Sequence, residues 1–279
     1  MTDSTLSTFV ALDGDNLAVQ DWPRAPGQAL RGVVLLVHGL GEHAGRYERL
    51  ARQLNGWGFA VRGYDQYGHG ESGGPRGGLP TDTRLLDDLS DIVDSTRARI
   101  GQNTPLILLG HSLGGLVAAR FVALGLRPVQ ALVLSSPALD AGLNAVQKLL
   151  LAVLPRIAPN LRVGNGLDPS LISHDPAVVA AYRADKLVHD RISARLARFI
   201  AEGGPAALAQ ASRWSVPTLL LYAGADRLVN PAGSRAFAAT APKAVVSAHC
   251  FEGLYHELFN ELDAAPVFVE LKRWLDARF

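Results

Sequence analysis

The stretch PLILLGHSLGG, residues 105–115, places the polar pair His111 and Ser112 between an apolar run and two glycines, and LVAARFVAL follows it. The run before Ser112 predicts a buried strand, and the residues after it predict a helix. Residues 110–114 match G-x-S-x-G, in which a tight strand-to-helix turn lifts a serine hydroxyl above the edge of a sheet. Small flanking residues let that turn form without clashes. We interpret Ser112 as a candidate nucleophile, the alternative being a serine that caps a helix on an ordinary turn.

The same five-residue pattern occurs a second time, at residues 70–74 around Ser72. The chain then continues as GPRGGLP, which is typical of a loop. Because the turn needs a strand directly before the serine and a helix directly after it, only Ser112 has the required context. Ser72 is predicted to be a loop residue.

Short apolar runs alternate with helical patterns along most of the chain. After a predicted hairpin, residues 6–12 and 16–22, buried strands are predicted at 32–39, 59–65, 105–110, 130–137, 216–226 and 244–253. Such Val, Ile and Leu runs, separated by helices, are typical of a parallel sheet covered on both faces. The gap before the last two runs has no strand pattern and looks mostly helical. We predict an α/β fold with a core of residues 1–139 and 213–279 and an inserted helical cap over 140–212.

Composition and charge exclude several classes of protein. The 279 residues are 48% hydrophobic and 19% charged, with a net charge of +1, which is typical of a globular chain and gives a nucleic-acid partner no electrostatic support. Cys250 is the single cysteine, so an intrachain disulfide is excluded. The N-terminus lacks the apolar run of a secretory signal, and the longest apolar run, at 149–155, is too short to span a bilayer. These features predict a cytoplasmic protein.

A serine nucleophile needs a base, and the base needs an acid that orients it. In this architecture their chain order is Ser, then Asp or Glu, then His, on loops that follow successive strands. Asp226 comes just after one buried run, and His256 comes just after the next. Ligands of open α/β sheets bind at the carboxyl ends of the strands, so both side chains are expected near Ser112. Asp65, which also ends a strand, stays as an alternative acid.

The other histidines fit the role of base less well. Three lie in loops that precede Ser112, one adjoins it, two lie in the predicted cap and one lies in a strand: His38, His43, His69, His111, His174, His189 and His249. His256 is the predicted base because its position alone agrees with both the order and the topology of the pattern.

Two backbone N–H groups are candidate donors to the oxyanion that forms when a serine attacks a carbonyl carbon. One is the N–H of Leu113, the residue after the nucleophile. The other belongs to the loop after the third predicted strand, HGLGEHAGRY, where Leu40 is the natural choice. The leucine side chains have no part in this prediction, since the donors belong to the main chain.

The loop that contains Leu40 also fits a different function. Residues 39–44 match G-x-G-x-x-A after a strand, and Asp65 ends the next strand at the distance expected of a ribose-binding acid. This pattern favours an NAD-dependent oxidoreductase as the second hypothesis. It leaves Ser112, Asp226 and His256 unexplained, and two strands precede the loop although such a fingerprint usually opens its fold.

A third hypothesis is a non-catalytic binding protein on the same scaffold, which would be natural if a member of the Ser, Asp and His set were missing.

Metal catalysis has no ligand cluster to support it, because HELFN, residues 256–260, lacks the second histidine of H-E-x-x-H. The prediction is therefore an enzyme with no metal and no cofactor.

Several motifs together resemble the monoacylglycerol lipase and lysophospholipase group of α/β-hydrolases, which is similar to serine aminopeptidase S33. These motifs are VHGLGEHAGRYERLA, YDQYGHGESGGPRG, GHSLGG, SSPAL, AGADRLVNP and YHELFNE. The resemblance covers nearly all of the chain outside the cap. It implies a cofactor-free serine hydrolase acting on esters of fatty acids with glycerol, with Ser112, Asp226 and His256 as triad and Leu40 and Leu113 as oxyanion donors. Small carboxylesters and lysophospholipids are the alternative substrates.

The predicted cap contains an apolar segment, GLNAVQKLLLAVLPRIAPNL, residues 142–161. Its apolar residues lie on more than one face of a helix: Leu143, Val146, Leu149, Leu150, Val153, Leu154 and Ile157. This pattern fits either a lid helix that lines an acyl tunnel and transiently contacts a membrane surface, or simple packing of the cap on the core. Pro155 and Pro159 are predicted to end the helix.

Overall fold

A computed structural model of the chain describes residues 4–24, 27–142 and 145–279, and Leu143 lies outside these ranges. An eight-stranded sheet runs through its centre in the order β1-β2-β4-β3-β5-β6-β9-β10. The strands of this sheet are β1 (Thr5–Val10), β2 (Asn16–Trp22), β3 (Gly32–Val37), β4 (Phe59–Tyr64), β5 (Leu106–His111), β6 (Ala131–Ser135), β9 (Thr218–Ala223) and β10 (Val246–Phe251). A separate pair is formed by β7 (Arg162–Gly164) and β8 (Arg191–Ser193).

The predicted, mostly parallel sheet is confirmed. Within the eight-stranded sheet, β4, β3, β5, β6, β9 and β10 pair in parallel with their neighbours in that order, whereas the hairpin of β1 and β2 joins β4 in antiparallel orientation. All residues of β3, β5, β6 and β9 are buried, as expected of strands covered on both faces. The carboxyl ends of these strands therefore meet at one edge of the sheet, and the loops that follow them meet there as well.

The helices cover both faces of the sheet, apart from those between β6 and β9. They are α1 (Glu48–Gly56), α2 (Arg84–Ile100), α3 (Leu113–Ala123), α4 (Ala145–Ile157), α5 (Pro176–Ala184), α6 (Ala194–Leu208), α7 (Pro231–Thr240) and α8 (Ala265–Asp276). Side chains of β3 alternate between two apolar cores: Val33 and Leu35 pack with α2 and α3, whereas Val34 and Leu36 pack with α1 and α8. Helices thus bury the two faces of one sheet.

The stretch between β6 and β9 contains α4, α5 and α6, so most of it is helical. We predicted no strands in this stretch. That prediction is wrong, because β7 and β8 form an antiparallel ladder. Each strand has only three residues, which is too short to show an alternating pattern. Pro155 does not end α4 but lies inside it, so this part of the prediction is wrong, whereas the helix does end just before Pro159. Proline removes one hydrogen bond, and here the helix continues for two more residues, to Ile157.

None of the helices in the part of the chain that the structure describes combines the length and the apolar character needed to cross a bilayer.

Candidate active site

Ser112 lies in a strained turn between β5 and α3. Its backbone angles are φ 52° and ψ −118°, a left-handed conformation that a residue with a side chain rarely adopts. The turn is held on both sides: Ser112 N–H donates to the Ser135 carbonyl at 3.0 Å, and the Ser112 carbonyl accepts the N–H groups of Leu116 and Ala138, both at 3.0 Å. The strained backbone presents the serine at the carboxyl end of the sheet.

Close packing around this turn explains the two neighbouring glycines of the pattern. A Cβ atom on Gly114 would overlap the carbonyl oxygen of Val37, at the end of β3. A Cβ atom on Gly110 would overlap the carbonyl oxygen of Gly114 itself. Both positions therefore require glycine because main chain approaches main chain there.

Asp226 and His256 are brought together from the loops after β9 and β10. Asp226 Oδ2 lies 2.6 Å from His256 Nδ1, and both side chains are almost fully buried. The other carboxylate oxygen of Asp226 accepts the N–H groups of Leu228 at 2.9 Å and Val229 at 3.0 Å. These three bonds fix the carboxylate, so that it in turn orients the imidazole ring.

The ionisation of this pair follows from its contacts. Burial disfavours the Asp226 carboxylate, but His256 and the two backbone N–H donors outweigh it and lower the pKa of Asp226 below its ordinary value. Burial likewise disfavours the charged imidazole, yet Asp226 raises the pKa of His256 above its ordinary value. The pair therefore combines a carboxylate that stays ionised with an imidazole that readily holds a proton.

Ser112 and His256 line the same cavity, which has a volume of about 350 Å³. The His256 ring also contacts His111, the residue before Ser112, with 4.6 Å between ring centroids. Burial, together with His256, lowers the pKa of His111 to about 3, so this neighbouring ring stays neutral near pH 7. Of these two neighbouring rings, His256 is therefore the one that holds a proton more readily.

The two proposed oxyanion donors also lie at this cavity, since Leu40 and Leu113 both line it. Leu113 is the first residue of α3, and the N–H of a first helical residue has no acceptor within the helix. The loop that carries Leu40 packs directly on the serine, because a Cβ atom on Gly39 would lie 3.2 Å from the Cβ of Ser112. The structure thus brings all five residues predicted from the sequence to one end of the sheet.

The remaining wall of the cavity is mostly apolar, although Gln147, Asn165, Tyr182, Ser193 and the carboxylates of Glu42 and Glu257 also line it. It comes mainly from the stretch between β6 and β9, with Leu150, Leu151, Leu154, Leu161, Val163, Ile192, Ala197 and Ile200, and from Leu228 and Val229 after β9. None of the described residues that line the cavity is a lysine or an arginine. The arrangement fits a long apolar group beside one polar reaction centre.

A buried ionic network, which the sequence analysis missed, connects two loops of the site. Arg46 contacts Glu42 and donates two hydrogen bonds to Glu257, at 2.7 and 2.9 Å. Burial disfavours the Glu42 carboxylate, but Arg46 lowers the pKa of Glu42 to about 2. Glu42 lies in the loop of Leu40, and Glu257 follows His256. In the sequence, only the spacing of four residues between Glu42 and Arg46 indicated part of this network, because oppositely charged residues at that spacing often form an ion pair.

The loop of Leu40 is also attached to the stretch between β6 and β9. The Gly41 carbonyl accepts the His189 N–H at 2.9 Å. His43 Nε2 lies 2.8 Å from the Asp185 carboxylate. Both partners lie between α5 and β8, so this stretch holds the loop in addition to the contact of Arg46 with Glu257.

Asp65 and Ser72, the alternatives to Asp226 and Ser112, are occupied by the main chain. The two carboxylate oxygens of Asp65 accept the N–H groups of Ala44 and Glu71, each at 2.8 Å. The Ser72 hydroxyl donates to the Asp65 carbonyl at 2.5 Å and accepts the Ala18 N–H at 2.8 Å. Neither residue lines the cavity that contains His256. Both serve to hold loops.

The loop 39–44 does not present the anion-binding surface of a dinucleotide site. Glu42 accepts the Gly39 N–H at 2.6 Å, and Asp65 accepts the Ala44 N–H, so carboxylates already occupy these donors. A pyrophosphate placed there would meet negative charge. Among residues 4–24, 27–142 and 145–279, no group of three or more His, Cys, Asp or Glu side chains could hold a metal ion.

Comparison with known proteins gives a consistent family. Residues 28–263 match the family model described as serine aminopeptidase, S33. A monoacylglycerol lipase of Mycolicibacterium smegmatis is 36% identical over 99% of each chain. The crystal structure of a Paleococcus ferrophilus monoacylglycerol lipase superposes with a TM-score of 0.84 at 36% identity, over 94% of this chain and 99% of the other. A soluble variant of Saccharomyces cerevisiae monoglyceride lipase, solved with a substrate analogue, superposes with a TM-score of 0.87 at 25% identity, over 100% of this chain and 96% of the other.

Proposed function

The chain belongs to the serine aminopeptidase S33 family of α/β-hydrolases and is a carboxylic ester hydrolase, and we propose that it releases fatty acids from monoacylglycerols. The observation that carries the proposal is the cavity, which Ser112 and His256 line together with a wall made mostly of apolar side chains. Relatives named monoacylglycerol lipase support the same substrate.

In the proposed reaction, Ser112 Oγ attacks the ester carbonyl carbon while His256 takes the hydroxyl proton. The carbonyl oxygen becomes an oxyanion, which accepts hydrogen bonds from the N–H groups of Leu40 and Leu113. The bond from carbon to the glycerol oxygen then breaks, and His256 returns the proton to that oxygen. The products of this half-reaction are free glycerol and an acyl ester on Ser112.

Water completes the cycle by the same route. His256 takes a proton from a water molecule, whose oxygen attacks the acyl carbon, and the proton then passes to Ser112 Oγ as the fatty acid leaves. Asp226 stays ionised throughout, because its pKa is lowered, and it stabilises the imidazolium that forms twice in each cycle. The cycle requires no metal and no cofactor.

The charge of the cavity wall favours monoacylglycerol over lysophospholipid. A phosphate group would need a cation close by, and no lysine or arginine is among the described lining residues. Arg46 lies near the site, but Glu42 and Glu257 already neutralise it. A neutral glycerol group fits this wall better than a phosphodiester does.

We assign residues 140–212 as the cap and residues 1–139 and 213–279 as the core. Helix α4 supplies three leucines of the cavity wall, Leu150, Leu151 and Leu154. Its other side exposes Leu149, Val153 and Ile157, which remain 68%, 49% and 73% exposed. One helix therefore offers apolar surface both to the acyl chain and to a lipid surface, which supports a transient contact of the cap with membranes.

The experiment is release of fatty acid from a long-chain monoacylglycerol, a lysophosphatidylcholine and a short nitrophenyl ester, for the wild type and for Ser112→Ala. We expect the wild type to cleave the monoacylglycerol and the nitrophenyl ester, with the lysophospholipid far slower. Ser112→Ala is expected to lose about a million-fold in kcat. Ser72→Ala is the control, since its hydroxyl only holds a loop, and it should keep the reaction.

Turnover of the short ester alone would assign a small-molecule esterase to the same residues. Equal turnover of the lysophospholipid would overturn the argument from charge. Activity that survives in Ser112→Ala would overturn the proposed mechanism as a whole.

A further inference from the structure

The direction in which the Leu40 N–H points is fixed by its own peptide group. That group joins the carbonyl of Gly39 to the nitrogen of Leu40, and none of the described peptide bonds is cis. In a planar trans peptide the C=O and N–H bonds point in opposite directions. Whatever holds the Gly39 oxygen therefore also aims the Leu40 N–H.

The Gly39 oxygen is held by an imidazole. His38 Nδ1 lies 2.7 Å from it, and the His38 ring is fully buried. The other ring nitrogen, Nε2, lies 2.9 Å from the backbone nitrogen of Gln66, which can only donate. Nε2 is therefore the acceptor, and the single proton of the neutral ring sits on Nδ1 and is donated to the Gly39 oxygen.

The surroundings keep this ring in one state. Burial, reinforced by His43, lowers the pKa of His38 below its ordinary value, although the carboxylates of Asp65 and Glu42 oppose the shift. A neutral ring with Nε2 engaged by Gln66 has no second tautomer available without losing that bond. The Nδ1–H group of His38 therefore remains the donor to the Gly39 oxygen.

We propose that His38 is a positioning residue of the oxyanion hole, which acts through the Gly39 carbonyl to aim the Leu40 N–H at the reacting oxygen. The proposal deepens the function assigned above and rests on it, because it presumes Leu40 as a donor. His38 is not among the residues that line the cavity of Ser112. Its effect is on the orientation of one peptide group, and that effect is felt when negative charge develops on the carbonyl oxygen.

A matched pair of substitutions separates the two ring nitrogens. In His38→Asn the side-chain amide nitrogen falls near the position of Nδ1 and can still donate to the Gly39 oxygen, but the Gln66 N–H loses its acceptor. In His38→Gln the amide reaches the position of Nε2 and can accept from Gln66, but nothing donates to Gly39. Both variants lose one buried hydrogen bond, so a merely structural role predicts similar losses in both.

The measurements are kcat and KM on a short nitrophenyl ester, the affinity for a trifluoromethyl ketone, whose adduct with serine carries an oxyanion, and the melting temperature. We expect kcat of His38→Gln to fall between about 10-fold and 100-fold, below the loss seen when a donor is deleted outright. KM should change little, and the trifluoromethyl ketone should lose affinity by a similar factor. His38→Asn should keep kcat within about threefold by retaining that donor.

The proposal is overturned if folded His38→Gln keeps wild-type kcat, or if both variants lose kcat in proportion to their melting temperatures. Should His38→Gln not fold, ¹⁵N spectra of the wild-type histidines give the same answer. A proton on Nδ1 of His38 supports the proposal, and a proton on Nε2 overturns it. Ser112→Ala keeps this test distinct: its activity decides the proposed function, whereas the His38 pair decides only how the oxyanion donor is aimed.

Discussion

The guanidinium of Arg46 and the carboxylate of Glu257 form a two-point ion pair, with N···O distances of 2.7 and 2.9 Å. Arg46 also contacts Glu42, which holds the Gly39 N–H, while Glu257 directly follows His256. One buried cation thus joins the loop of the proposed oxyanion donor to the loop of the proposed base. Neither loop is part of the central sheet, so this ion pair links them directly through side chains.

Removal of the Arg46 charge should be strongly destabilising. Arg46→Met leaves Glu42 and Glu257 buried without their cation, and we expect the free energy of unfolding to fall by about 3–5 kcal/mol. Urea titration followed by circular dichroism measures the change. Arg127→Met is the matched control, because the pair of Arg127 with Asp94 is exposed and its loss should be nearly neutral. Equal losses in both variants would contradict the role of the network.

The pH dependence of the reaction should report the pair of His256 and Asp226. Because His256 must be neutral to take a proton from Ser112, kcat/KM should rise with pH through the raised pKa of His256, at a midpoint above the ordinary histidine value. Asp226→Asn removes the carboxylate that raises this pKa, so the midpoint should move down. The same change should lower kcat by about 10⁴, since the imidazole loses its orienting acceptor. An unchanged midpoint in Asp226→Asn would show that another group titrates.

Gly114→Ala should damage both the fold and the reaction. The added methyl group would overlap the Val37 carbonyl, so β5 and α3 must separate from the end of β3. We expect a lower melting temperature together with a large loss of kcat. Gly56→Ala, at the end of α1, meets no atom within 4 Å and should leave activity unchanged and stabilise the protein by up to about 1 kcal/mol. A Gly114→Ala variant with normal kcat would refute the close approach at the turn.

A larger side chain in the cavity wall should shorten the preferred acyl chain. Ala197, on α6, lines the cavity, and Ala197→Phe fills part of its apolar end. We expect kcat/KM to fall at least about tenfold on long-chain monoacylglycerols and to stay near wild type on a short nitrophenyl ester. Ala181→Phe, on the exposed surface of α5, should leave both rates unchanged. A parallel loss on both substrates would mean that the acyl chain lies elsewhere.

Much of the fold could be predicted from the sequence because the buried strands are continuous apolar runs. Residues 32–37 and 106–111 have no polar side chain before the terminal histidine of β5, and each run ends at a glycine or a polar turn. Ser112 and Asp226 could be named for the same reason, since each follows such a run, and parallel strands end at one edge. His256 follows the edge strand β10, of which only Val246 is buried, so its place in the chain order identified it more than an apolar run did.

Features that depend on distant parts of the chain escaped prediction. The pairing of Arg46 with Glu257 spans 211 residues, and no local pattern encodes it. The ladder of β7 and β8 was missed because three residues carry no period. Pro155 was expected to stop α4, but it lies in the last turn, where the missing N–H costs one hydrogen bond and the helix still continues to Ile157. His38 resembled any loop histidine until both of its nitrogens could be seen to have backbone partners.

The hydrogen bond from His189 to Gly41 has a consequence for engineering. A chimaera that exchanges residues 140–212 for the cap of another hydrolase would also exchange the residues that hold the loop of Leu40. Such a chimaera would admit the new substrate and still turn it over slowly. The exchanged segment contains both the residues that line the cavity and His189, which holds the loop of Leu40. A successful transplant would keep residues 185–193 of this chain and replace only α4, α5 and α6 around them.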